Sequence, residues 1–140
     1  MGTLNYYALS PGFLLDTHTF LWAVKDPDRL GAGARKIIED PQNTLYLSVI
    51  SAYEVTLKDS MGKLDASYAL VVSDLAEIAR RLGCRELPIT LKHAWQAGRM
   101  DWRHRDPFDR MIAAQAALEN LTLITNDAAL THLSSVKAVW

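Results

Sequence analysis

Four carboxylates in this chain stand where a short apolar run hands over to a helix, within the helix behind such a run, or at the start of a helix that leads into one. Asp16 follows Phe13-Leu14-Leu15, and Asp127 follows Leu123-Ile124-Thr125-Asn126. Glu54 lies about two helical turns beyond the run Leu45–Ser48, and Asp109 sits inside the block His104-Arg-Asp-Pro-Phe-Asp-Arg110. Brought to one place, four carboxylates repel one another unless some take up protons or a cation neutralises them. All-oxygen ligation selects hard ions, Mg²⁺ or Mn²⁺, over zinc or copper. Such an ion lowers the pKa of a bound water and neutralises charge on a phosphoryl oxygen, so the implied chemistry is phosphodiester hydrolysis. Each acid also has a plainer reading. Asp16 and Asp127 can cap the helices that follow them, and Glu54 can pair with Lys58 one turn on. Asp106, just before Pro107, reads first as an N-cap, because proline favours the first helical position.

The elements that must position these acids follow from periodicity and punctuation. Strands are expected at 13–15, 45–48, 85–89, 122–125 and 136–139, the third at an edge because Pro88 cannot donate to a ladder. Helices are expected behind Asp16, over 32–39, from Val49 to about Ser60, over 68–82, from Thr90 to about Arg99, after Asp106 and after Asp127. On helix 49–60 a stripe of Ile50, Leu57 and Met61 has Glu54 within it, which is costly to bury unless paired or metal-bound. Short apolar strands alternating with helices predict an α/β protein with a parallel sheet covered on both faces. Ligands then collect beyond the carboxyl ends of the strands, where all four acids can converge.

A chain of 140 residues, nearly half of them hydrophobic, predicts one folded domain, and a net charge of −1 excludes a generally basic nucleic-acid coat. The single cysteine, Cys84, has no disulfide partner and fits a reducing cytoplasm. No leader pattern and no membrane-length apolar run is present, so the expectation is a cytoplasmic protein without membrane contact.

Taken jointly, strand-Asp16-Thr17, Ser48-x-x-Ser51-x-x-Glu54-Val55 with Gly62-Lys63-Leu64, Leu87-Pro-Ile89, the 104–110 block with Ile112-Ala-Ala114, and Thr125-Asn126-Asp127 resemble a PIN-domain ribonuclease. The likeness is to the VapC toxins of bacterial toxin–antitoxin pairs, and it spans roughly 13–139 in the expected order. It implies a three-layer α/β/α fold around a mostly parallel sheet of about five short strands. It assigns residues 13–140 to the domain and leaves 1–12 as an N-terminal extension. The implied activity is endonucleolytic RNA cleavage dependent on Mg²⁺ or Mn²⁺, restrained by a VapB-type antitoxin, in a protein that is usually a homodimer. The resemblance maps catalytic and metal-holding roles to Asp16, Glu54, Asp109 and Asp127. Asp106, Thr17, Thr125 and Asn126 form a second tier around them.

Arg99, Arg103, Arg105 and Arg110 are interleaved with Trp102 and His104. Arginine contacts phosphate and an aromatic ring can stack on an unpaired base, so Arg103, Arg105, Arg110 and His104 are candidate RNA contacts. The competing reading is a solvated loop whose arginines pair with Asp101 and Asp106. His104 reads as a structural or substrate-contact residue before a general base. Lys58 and Lys63 can extend the surface or serve only solubility. Two other functions compete: a catalytically silent PIN-like module that binds RNA or protein, and a metal-dependent phosphatase for small esters. Nothing in the chain resembles the phosphate-cradling glycine loop that would favour the latter.

Overall fold

The strands and helices follow the punctuation of the chain closely. The computed structural model describes residues 12–140; the expected N-terminal extension lies outside the described residues, apart from Gly12, which opens the first strand. In chain order the elements are β1 (Gly12–Leu15), α1 (Thr17–Lys25), α2 (Ala32–Glu39), β2 (Thr44–Ser48) and α3 (Val49–Ser60). Next come α4 (Ala69–Ser73), α5 (Leu75–Leu82), β3 (Cys84–Leu87), α6 (Leu91–Arg99), α7 (Pro107–Leu118), β4 (Thr122–Ile124), α8 (Ala128–Thr131) and β5 (Lys137–Val139). All strand pairs are parallel, in the order β3-β2-β1-β4-β5. The α/β expectation therefore holds, and the third strand is at an edge as expected, although it runs Cys84–Leu87 and ends before Pro88, which lies outside the ladder.

Side chains alternate across the sheet with the period of two that strands impose. Leu15, Leu45, Leu47 and Ile124 face one way, against Phe20 and Leu21 of α1, Ala34 of α2, Val55 of α3 and Ala79 of α5. Leu14 and Leu123 face the other way, against Ile112, Ala113 and Ala116 of α7 and Leu130 of α8. The alanines of α7 let its backbone approach the sheet, which explains why this helix buries a continuous run from Ile112 to Ala116. The chain turns one way from β1 to β2, while β4 returns on the other side of β1. That divergence leaves a crevice beyond the carboxyl ends of β1 and β4. Two hydrogen bonds stitch it: Asp16 N–H donates to the Ile124 carbonyl at 3.2 Å, and Thr19 Oγ1 donates to the same oxygen at 2.8 Å.

Two expectations require correction. The helix over 68–82 is broken at Asp74, whose φ of −154° and ψ of 60° leave the helical basin. Leu70, expected on its apolar face, is 78% exposed. On α3 the buried face is Ser51, Glu54 and Val55 rather than the Ile50–Leu57–Met61 stripe, and Met61 is 53% exposed. The reason is polar. Ser51 and Glu54 find hydrogen-bond partners across the domain, so burying them costs little, and the helix rotates to present them.

Cys84 begins the edge strand, and burial pushes its thiol up to about 12, which leaves it inert. Among the described residues no helix is long and apolar enough to cross a membrane.

Candidate active site

Three helices that begin at the carboxyl side of the sheet carry an aspartate at their N-cap. Asp16 Oδ1 accepts from Thr19 N–H at 2.7 Å, Asp106 Oδ1 from Phe108 N–H at 2.9 Å and Asp109 N–H at 3.2 Å, and Asp127 Oδ1 from Ala129 N–H at 3.0 Å. Capping uses one oxygen of each carboxylate and thereby fixes where the other lies. The plain reading of these acids as caps is correct, and it is also what aims them. Asp16, Glu54, Asp106, Asp109 and Asp127 all line one cleft of about 310 Å³, with Thr17, His18, Trp22, Lys58 and Asn126.

Two threonine hydroxyls order the acids within it. Thr125 Oγ1 donates to Asp16 Oδ2 and accepts from Asp127 N–H at 3.1 Å, so one side chain ties two carboxylate-bearing residues together. Thr17 Oγ1 donates to Glu54 Oε1 at 2.7 Å. Its single proton being used there, it accepts from Ser51 Oγ at 2.9 Å. The second oxygen of Glu54 accepts from Lys58 Nζ at 2.6 Å, the pair anticipated from their spacing. Glu54 is only 5% exposed, so that ammonium and the Thr17 hydroxyl are what make its burial tolerable.

His104 reaches Asp109 at 2.7 Å between Nε2 and Oδ2; an ionised carboxylate can only accept, so Nε2 carries the proton and donates. The Trp102 ring lies 4.8 Å from the imidazole and holds it against the loop. Among the described residues, His104, Asp106 and Asp109 form the tightest possible ligand group, with ligand atoms within 4.8 Å of one another. The four acids picked out in the sequence share the cleft without converging that closely.

Burial dominates the electrostatics. It raises the Asp16 carboxyl above the usual carboxylate range, with hydrogen bonds from Thr125 and Thr19 opposing it. Burial also raises Asp109; the His104 hydrogen bond opposes that rise, and the neighbouring charges of Asp106 and Asp127 add to it. Carboxylates whose ionised form is disfavoured in the absence of a cation are the donor set a hard divalent ion fits. Lys58 against Glu54 shows that a positive charge is already accommodated in this cleft.

The sign of the stability effect follows. Asp16 and Asp109 bind their protons more tightly folded than unfolded, so metal-free protein is stabilised below the unfolded carboxylate value. That stabilisation is lost as pH rises through the folded value. Asp16→Asn keeps the oxygen that accepts from Thr19 and reverses the bond to Thr125, whose hydroxyl loses its acceptor, while the buried charge is removed. In thermal melts without metal it is expected to melt above the wild type at neutral pH. The wild type alone should gain when saturating Mn²⁺ is added, by about 2.7 kcal/mol at a hundredfold excess over Kd.

The arginine-rich loop divides. Arg103 and Arg105 are exposed and make no ion pair with Asp101 or Asp106 among the described residues, and the Arg99 guanidinium lies 4.3 Å from the Trp95 ring centre. Arg110, expected to contact RNA, turns back instead. Its guanidinium donates to the carbonyls of Ala97 (2.9 Å), Met100 (2.8 Å), Trp102 (2.7 Å), His104 (3.0 Å) and, at 3.4 Å, Gly98. That corrects the expectation: all its donors are occupied by backbone. The available signal was direction, since a helical side chain leans toward the helix N-terminus and so over the preceding loop. Lys58, which the sequence offers both as a partner for Glu54 and as a surface charge, lies inside the cleft against Glu54.

A family model of the PIN domain matches residues 13–135 of the chain. No curated protein matches it in sequence. Among solved structures it resembles VapBC2 from Rickettsia felis, bound to a DNA fragment from their promoter. That match is 17% identical, covering 92% of this chain and 98% of that one, with a TM-score of 0.66. FitAcB from Neisseria gonorrhoeae is 22% identical, with coverage of 91% and 96% and a TM-score of 0.61. A toxin–antitoxin complex from Klebsiella pneumoniae is 21% identical, with coverage of 91% and 95% and a TM-score of 0.54. At such identities the likeness speaks for the fold.

Proposed function

The chain belongs to the PIN-domain family, and from that premise we propose that it is a divalent-cation-dependent endoribonuclease of the VapC kind, a hydrolase of RNA phosphodiester bonds. The observation that carries the reading is the shared cleft: acids from four separate elements line it, and two of them are raised by burial. Asp16, Glu54, Asp109 and Asp127 would hold Mg²⁺ or Mn²⁺. A bound divalent ion supplies Lewis acidity, lowering the pKa of water and neutralising charge on a phosphoryl oxygen.

The protein's own residues do the rest. Thr125 and Thr17 hold the deep carboxylates in fixed orientations, so little reorganisation is needed when a cation or substrate arrives. His104 keeps Asp109 turned into the cleft. Asp106 and Asn126 complete the rim. Exposed Arg103 and Arg105 remain available to phosphates, and a pure binder of a polyanion would have no use for the acids. That solved relatives include VapBC and toxin–antitoxin complexes supports restraint by a VapB-type antitoxin; a homodimer acting in the cytoplasm follows from the family resemblance alone. We assign the domain to the expected residues 13–140 together with Gly12, which opens β1, and the residues before it to an extension.

A time course on total bacterial RNA with Mg²⁺, with Mn²⁺ and with EDTA tests the activity. Discrete fragments that require the metal are expected. Intact RNA in every lane, with the protein folded and free of partner, would overturn the nuclease reading in favour of a silent binding module. Turnover of a chromogenic phosphate ester with no action on RNA would point to a phosphatase.

A further inference from the structure

Beside the acidic cleft runs a second one of about 420 Å³, and the two share Thr17, His18, Trp22 and Lys58. Its character is opposite. Arg29, Lys58 and Lys63 line it, with Trp22 and Tyr68 as aromatic walls and Asp65 as the one acid. Asp65 is already engaged as the cap of the short turn Ala66–Tyr68, accepting from Ser67 N–H at 2.8 Å.

Lys63 is held there by backbone. Gly62, at φ +70°, ends α3 in a left-handed turn, with Gly62 N–H donating to the Asp59 carbonyl at 3.0 Å and Lys63 N–H to the Lys58 carbonyl at 2.8 Å. That paired pattern is a Schellman cap, which fixes the exit direction of the chain. It puts Lys58 and Lys63 on the same cleft. Among the described residues the Lys63 ammonium has no ion pair, whereas Lys58 is held by Glu54. The Arg29 guanidinium lies 5.0 Å from the centre of the Trp22 ring, and its bond to Asp26 is long, at 4.0 Å, and exposed.

We propose that this second cleft is a subsite for one unpaired nucleotide of the RNA strand flanking the cleaved bond. The Trp22–Arg29 pair takes the base by stacking, and Lys63, with Lys58, takes an adjoining phosphate. Single strands are bound in this way by positively charged grooves that carry aromatic or guanidinium platforms. Lys58 stands at the junction, against Glu54 in one cleft and facing the phosphate path in the other. The subsite is separate from the Arg103–Arg105 loop, and it rests on the nuclease reading above.

The test is fluorescence anisotropy with a labelled oligoribonucleotide of roughly a dozen nucleotides at constant Mg²⁺, each substitution being placed on Asp109→Asn so that the RNA stays uncut, alongside cleavage of RNA by the same substitutions in otherwise wild-type protein. Lys63→Ala should lower the slope of log affinity against log salt by up to ~0.7, the contribution of one phosphate contact on a single strand. Lys63→Arg should restore it. Trp22→Leu should weaken binding roughly 5- to 100-fold, with Trp22→Phe intermediate. In cleavage, Lys63→Ala should raise KM and leave kcat near the wild-type value. Lys63→Ala changes an exposed side chain, so the test stands even if Trp22→Leu melts early. Wild-type cleavage with affinity and salt slope unchanged in Lys63→Ala would overturn the subsite alone and leave the cleft to a protein segment. A wild type that neither binds nor cuts RNA would overturn both readings together.

Discussion

Asp109→Asn is expected to lose RNA cleavage by at least on the order of 100-fold while folding normally and melting no lower than the wild type. The side chain stands where three influences meet. Burial and the charges of Asp106 and Asp127 disfavour its ionised form, and His104 donates to it at 2.7 Å. Asparagine keeps an oxygen that accepts from His104, so the local geometry survives and the repulsion is relieved. What disappears is the negative charge that a divalent ion would neutralise. Stability and activity should therefore move in opposite directions, a signature that a merely structural residue would not give. Thermal melts and cleavage rates on the same preparation check it, and an undiminished rate would remove Asp109 from the site.

The largest loss of stability is expected from Arg110→Ala. One guanidinium satisfies the final carbonyls of α6, Ala97 and Gly98, and three carbonyls of the following loop. Helix C-termini leave such groups without partners, and here no other side chain replaces them. Charge-assisted hydrogen bonds contribute roughly 1.5–3 kcal/mol each and are not additive; a net loss of about 2–4 kcal/mol is expected in denaturant titrations. Arg110→Lys should recover less than half, because an ammonium cannot span a planar fan of carbonyls. The loop also carries His104 and Asp106, so cleavage should fall in both variants even under conditions where they are folded. A variant as stable as the wild type would show that the loop is held by Trp102 and its apolar neighbours instead.

Much of this architecture can be read from the chain because its boundaries are chemically marked. Asp16, Asp106 with Pro107, Thr90 and Asp127 each announce a helix start, and Gly83 ends α5 in the left-handed region at φ +92°. The same marks expose the site, because an N-cap aspartate at the carboxyl end of a parallel strand is both a local device and a cleft residue. What escapes the sequence is what depends on distant partners. The buried face of α3 follows the Thr17 hydroxyl and Lys58, which make Ser51 and Glu54 better inward residues than Ile50 and Met61. Periodicity of apolar residues cannot register that exchange. Arg110 and Arg105 look alike in a run of arginines, and only the position of Arg110 within the first turns of α7 turns it toward five carbonyls. The break at Asp74 falls in a stretch whose apolar spacing continues through it, and aspartate's weak helix preference is the sole local hint.

We propose that acids from four elements make one divalent-cation site that serves RNA cleavage. Its most direct test is Mn²⁺ binding read from the loss of the free-ion EPR signal, followed by addition of RNA to the same samples. Wild type, Asp109→Asn and Asp101→Asn, the last an exposed acid outside the cleft, should be compared. Wild type and Asp101→Asn should bind Mn²⁺ and cut RNA, and Asp109→Asn should be impaired in both. Full cleavage in EDTA, or Mn²⁺ binding and cleavage undiminished in Asp109→Asn, would contradict the proposal.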